Sequence, residues 1–113
     1  KKSEMINYLI KYEPFSKSYS MYSNKPEAVY ILANLICKRS PAKTFYNSPQ
    51  SIKLDQLQSS IRSEDENIFL VWFKESNYNF LFTLDELQKN IRMKEVVHLK
   101  DGDIYTFLKH DLN

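Results

Sequence analysis

The chain contains one glycine, one cysteine, one tryptophan and two histidines, and each scarcity removes a class of chemistry. A single glycine cannot build a phosphate-cradling loop, which needs several positions where backbone and ligand approach closely. A single cysteine, Cys37, rules out an intrachain disulfide and any CxxC metal motif. His98 and His110 do not form an HxxxH pair. Ser23, Ser40 and Ser48 lack the glycine-flanked elbow of a serine hydrolase. A large excess of one charge is also missing. The net charge is +2, with both signs interspersed, whereas a nucleic-acid binder usually carries a basic stripe. The longest apolar runs, "AVYILANLIC" and "IFLVWF", fall short of the about 18 residues that cross a bilayer. These absences predict no catalytic residue, no metal ligand, no cofactor and no nucleic-acid partner in this chain.

The 113 residues, 42% hydrophobic and 27% charged, suit one globular domain spanning 1–113. "SEMINYLIKY" places Met5, Ile6, Leu9 and Ile10 on one helical stripe behind a Ser3 cap, and Glu13-Pro14 ends it. "KSYSMYS" reads as a short strand. "SNKP" follows, with Asn24 three residues before Glu27 in a capping-box pattern and Pro26 in the first turn. The helix behind it carries Ala28, Ile31, Leu32, Leu35 and Ile36 at core spacing, with Cys37 as a small buried hydrophobe and Lys38-Arg39 as a solvated end.

"AKTFY" (42–46) reads as a second strand, and "SIKLDQLQSSIR" as a helix that buries Leu54, Leu57 and Ile61. "SEDEN" is an acidic loop. "NIFLVWF" (67–73) is apolar without alternation, the mark of a strand covered on both faces. "KESNYN" turns the chain. Thr83 and Glu86 form a second capping box, ahead of Leu84, Leu87 and Ile91. "KEVVHL" and "DIYTFL" flank Asp101-Gly102, a hairpin signal whose central residues tolerate positive φ. Strands alternating with helices predict an α/β fold: a three-layer sandwich with a mixed, largely parallel sheet and a C-terminal β-hairpin.

Most candidate sites have plain structural explanations. His98 lies in a strand; Asp85-Glu86 opens a helix, where the dipole favours acids; Asp101 and Asp103 flank a turn; and the eight tyrosines and seven phenylalanines suit a core. One corner has a second reading. If a strand ends at Ser23 and a helix starts near Lys25, the corner lies at the carboxyl edge of the sheet, where α/β folds hold ligands and helix starts attract anions. Ser23, Asn24, Lys25 and Arg39 are therefore the candidate ligand-binding residues. As a simple cap, Asn24 would tolerate replacement by Asp.

The stretch "YSN-x-P-x-A-V-Y-x-L", Tyr22 to Leu32, resembles a "YSN-x-P-[DE]-A-[ILV]-Y-x-L" stretch late in bacterial polytopic membrane glycosyltransferases. These have GT-C architecture and are related to the protein mannosyltransferase and lipid A aminosugar (aminoarabinose) transferase families. "IFLVWFKESNYNFLFTLDEL" is similar to their "YLVWF" block ending in "EL", and "VVHLKDGDIYTFL" to their terminal "DG-x-IY" segment. The resemblance covers most of residues 5–108. One departure is "ANLICKRSPA", where those enzymes have a "TGR-P-A" turn, so that Arg39 with Pro41-Ala42 stands as its shifted equivalent.

The resemblance implies a soluble extracytoplasmic domain that follows the last membrane helix of a longer membrane protein. Its partner would be the membrane-embedded part of the same polypeptide. The catalytic carboxylates of those enzymes lie near their first membrane helices, so this domain would be an accessory to a transferase using a polyprenyl-phosphate-sugar donor, contacting donor or acceptor without transferring sugar. Two other classes fit the composition: a small immunity or antitoxin-like protein that binds a toxin, and a small nuclease or nucleotide-binding enzyme using the Asn24 corner.

Overall fold

The computed structural model describes residues 3–12, 19–42, 52–63, 67–75 and 81–108. Its elements in chain order are α1 (Glu4–Lys11), β1 (Tyr19–Ser23), α2 (Pro26–Ala33), β2 (Lys38–Arg39), α3 (Leu54–Ser63), β3 (Asn67–Phe73), α4 (Leu84–Asn90), β4 (Met93–Leu99) and β5 (Gly102–Phe107). The strands form one mixed sheet in the order β2-β1-β3-β5-β4. β2, β1 and β3 run parallel, while β5 pairs antiparallel with both β3 and β4. The fold is α/β, with β4 and β5 as the C-terminal hairpin.

β3 lies in the middle because its sequence can be buried on either side. Phe69, Val71 and Phe73 pack with Met5, Ile6 and Leu9 of α1 and Val29 of α2. Ile68, Leu70 and Trp72 pack with Leu57 and Ile61 of α3 and Leu87 of α4. Successive strand residues point to opposite faces, so an unbroken apolar run fills two cores. The result is three layers: α1 and α2, the sheet, then α3 and α4.

Two helix starts follow the sequence closely. The Ser3 side chain accepts from the Ile6 N–H, and Thr83 and Glu86 exchange both bonds of a capping box. The lone glycine has a different role from the expected one. The two-residue connection of the hairpin is Lys100-Asp101, with Leu99 paired to Gly102, and among the described residues only Asn34 has positive φ. Gly102 is needed for space. A Cβ there would lie 2.1 Å from the Trp72 carbonyl oxygen and 2.7 Å from Met5 Cε. The hairpin tip is also tied to α1: Ser3 Oγ donates to Asp101 Oδ2, the Met5 N–H to Asp101 Oδ1 at 3.0 Å, and the Lys100 N–H to Glu4 Oε1 at 2.8 Å.

Other expectations need correction. α2 ends at Ala33, with Asn34 in the left-handed region at φ 56°, so Leu35 and Ile36 lie beyond it. Val29 anchors the helix, whereas Ile31 and Leu32 of the expected core stripe face outward. A helix apolar on most sides has no unique inward face, and the sheet selects the side of Val29. On α1, Ile10 is also exposed, beside the inward stripe of Met5, Ile6 and Leu9 that meets the sheet. Lys38-Arg39 is an edge strand rather than a solvated end. Of the strand expected at 42–46, Ala42 bridges Leu81 in antiparallel sense, and 43–46 lie outside the described residues, as do most of the "SEDEN" and "KESNYN" loops.

Candidate functional site

The four candidate ligand residues do gather at the carboxyl ends of β1 and β2. The Ser40 N–H donates to the Ser23 carbonyl at 2.9 Å and so extends the β1–β2 pairing. Two of the four are occupied with holding the corner together. Ser23 and Asn24 are both fully buried. Ser23 Oγ accepts the Lys25 N–H at 2.9 Å, which leaves that donor turned inward.

Asn24 is not the helix cap. Lys25 holds that position, with no side-chain cap bond. The Asn24 carboxamide faces β3 instead: Nδ2 donates to the Phe73 carbonyl at 2.8 Å, and Oδ1 accepts the Phe73 N–H at 2.9 Å. One side chain thus imitates the donor–acceptor pair of a strand residue, extending the β1–β3 pairing after the β1 backbone has turned away. A buried backbone pair left without partners is costly, and this requirement accounts for Asn24 without a ligand.

Arg39 closes the outer side. Its Nη2 donates to Glu27 Oε2 at 2.9 Å, joining β2 to the first turn of α2. Partial burial opposes ionisation of Glu27, but its backbone hydrogen bond and the Arg39 guanidinium prevail, holding the carboxyl below its ordinary range. Beside this pair a cleft of ≈ 650 Å³ opens between α2 and the sheet edge. Pro26, Tyr30, Ile36 and Ile52 give it apolar walls, and Cys37 and Lys38 complete the lining with the Glu27–Arg39 pair. Burial, reinforced by the Glu27 charge and opposed by Arg39, pushes the Cys37 thiol well above its usual range. The thiol is therefore protonated at neutral pH and a poor nucleophile.

No protein-family model, curated protein or solved structure matches this chain.

The surface around the cleft continues its apolar character. Tyr30, Ile31 and Leu32 on α2 and Ile36 after it are between 59% and 81% exposed. Scattered exposed apolar residues are ordinary, whereas a contiguous run of this kind is less common on a free surface. Among the described residues the corner contains no hydrogen-bonded nucleophile–base pair. It offers one charge-paired wall and an apolar shelf, suited to holding a hydrophobic segment. Sequence reasoning missed this part of the site, because Tyr30, Ile31 and Leu32 have the composition of a core and only the docking angle of α2 turns them outward. The Glu27–Arg39 pair was equally hidden, since it depends on β2 returning beside β1.

Proposed function

We propose that this chain is a non-catalytic accessory domain at the extracytoplasmic face of a bacterial membrane, part of a polytopic GT-C-type glycosyltransferase with a polyprenyl-phosphate-sugar donor. In this reading α2 is the face by which the domain seats on the membrane-embedded part of the same polypeptide. The observation that carries the reading is the exposed apolar run Tyr30, Ile31, Leu32 and Ile36 beside an apolar cleft. Leaving these side chains in water forgoes roughly 1.5–3 kcal/mol for each that could be buried, and a second body returns that stabilisation. The resemblance supports the same reading, since its three motifs lie together in the fold: the β1–α2 corner, β3, and the β4–β5 hairpin are consecutive along the sheet. Among the described residues no helix is long and apolar enough to cross a membrane, so the membrane spans of this reading belong to another part of the polypeptide.

The test begins with the reading frame upstream of Lys1, where the proposal expects a series of membrane spans; a short free-standing frame overturns it. In the full-length protein, Ile31→Ser with Leu32→Ser should lower sugar transfer severalfold at unchanged protein level in the membrane. Unchanged transfer would show that α2 is not the seat.

A further inference from the structure

We propose that the β4–β5 hairpin binds a divalent transition-metal cation of the zinc class through Glu95, His98 and Asp103, on the face that carries Tyr105. This site is remote from the α2 cleft in the sheet order and does not depend on the reading given above. In a regular strand Glu95 and His98, three positions apart, would point to opposite faces. Here a β-bulge between Glu95 and Val97 adds one residue to β4. Glu95 then stands opposite Tyr105 and His98 opposite Asp103, and Tyr105 and Asp103, two apart on β5, share a face. A bulge re-aims side chains and recurs beside functional sites. In this hairpin it brings an imidazole and two carboxylates together, each offering a ligand atom, all within 4.8 Å of one another.

The composition of the cluster selects the cation. Two carboxylates and an imidazole offer mixed oxygen and nitrogen ligands, and among the described residues neither acid is ion-paired with lysine or arginine. His98 Nδ1 contacts Asp103 Oδ1 directly. Imidazole nitrogen favours zinc-like ions over calcium or magnesium, which take all-oxygen shells. Ligands bound at about 2.0–2.2 Å sit closer together than 4.8 Å, an adjustment that the exposed Glu95 side chain can make. Asp103 is more constrained. It is 92% buried, and its second oxygen accepts the Tyr105 hydroxyl at 3.4 Å, as an outer partner that orients a ligating carboxylate does. Three protein ligands leave a fourth position for water or an anionic group.

The experiment uses the 113-residue chain without an affinity tag, stripped by chelator and titrated with zinc chloride in a non-coordinating buffer. Binding is read by calorimetry and by the fluorescence of Trp72, the chain's one tryptophan, which pairs with Asp103 across β3 and β5. One saturable site is expected, with affinity reduced by about tenfold or more in His98→Ala and in Glu95→Gln. Both positions are exposed, so circular dichroism should report unchanged folding. Cys37→Ser should bind as the unaltered chain does, and magnesium or calcium at equal concentration should not compete. No saturable binding up to millimolar zinc overturns the proposal. So does full affinity in His98→Ala, loss of binding in Cys37→Ser, or effective competition by calcium.

Discussion

Asn24 and Phe73, 49 residues apart in the chain, are joined by two hydrogen bonds of 2.8 and 2.9 Å between one side-chain amide and one backbone residue. Asn24→Ala removes both partners and leaves a buried carbonyl and a buried N–H, at a cost of about 2–4 kcal/mol. Asn24→Asp should be at least as damaging at neutral pH, because a carboxylate cannot donate to the Phe73 carbonyl and brings a buried charge. Urea unfolding of both variants checks this. If Asn24→Asp unfolds at the wild-type midpoint, the amide is not the clamp described.

Gly102→Ala should destabilise by at least about 2 kcal/mol. The obstacle is the Trp72 carbonyl, part of the central strand, which cannot move as a side-chain tip could. Since φ at Gly102 is not positive, backbone conformation contributes nothing to this cost. The thermal midpoint of the variant measures it, and Met5→Ala on the Gly102→Ala background should bring little recovery because the carbonyl contact remains.

The orientation of α2 is tested by contrast. Ile31→Ser should change stability by less than about 0.5 kcal/mol, as expected of an exposed position away from any network. Val29→Ala, two positions earlier on the same helix but fully buried, should cost about 2 kcal/mol. Equal costs at the two positions would mean that the helix sits at another angle.

The Glu27–Arg39 pair gives a pH signature. Glu27 ionises below its ordinary value in the folded chain, so its contribution is present above the unfolded carboxylate range and is lost as pH falls through the folded value. Relative to Glu27→Gln, the unaltered chain should be more stable at pH 7 by less than about 1 kcal/mol, because the half-exposed carboxylate is screened. The difference should vanish in acid, and paired unfolding curves at several pH values follow it. At pH 7–8 the Cys37 thiol should also react with a disulfide reagent far more slowly in the folded chain than in urea, in line with its upward shift.

The sequence was most legible where one residue type answers one geometric need. Thr83 with Glu86, Ser3, and the unbroken apolar run of β3 each announced an element, and the helices and strands they imply determine the layers. Legibility failed where a choice depends on tertiary contact. Asn24 three residues before Glu27 looks like a cap, but the capping role passes to Lys25 because the amide is more valuable against Phe73. Gly102 beside Asp101 suggests a positive-φ turn, although the glycine serves a close approach to a strand far away in sequence. Lys38-Arg39 is too short and too charged to read as a strand, and it becomes one only because Ser23 and Tyr22 offer their edge. The cluster of Glu95, His98 and Asp103 depends on a bulge, for which an alternating sequence gives no warning.

The strand order has a consequence for how the chain is made. β5 comes after every other described strand in the chain yet lies between β3 and β4, and the hairpin turn before it meets the start of α1. Everything emerging earlier therefore waits with one flank of β3 open and the first helix unfastened. Closing the contact between α1 and the hairpin tip spans nearly the whole length, a long-range step that slows folding, and the open flank of the central strand is prone to associate with other chains meanwhile. The domain should become protease-resistant in a single late step, after β5 has left the ribosome, rather than segment by segment.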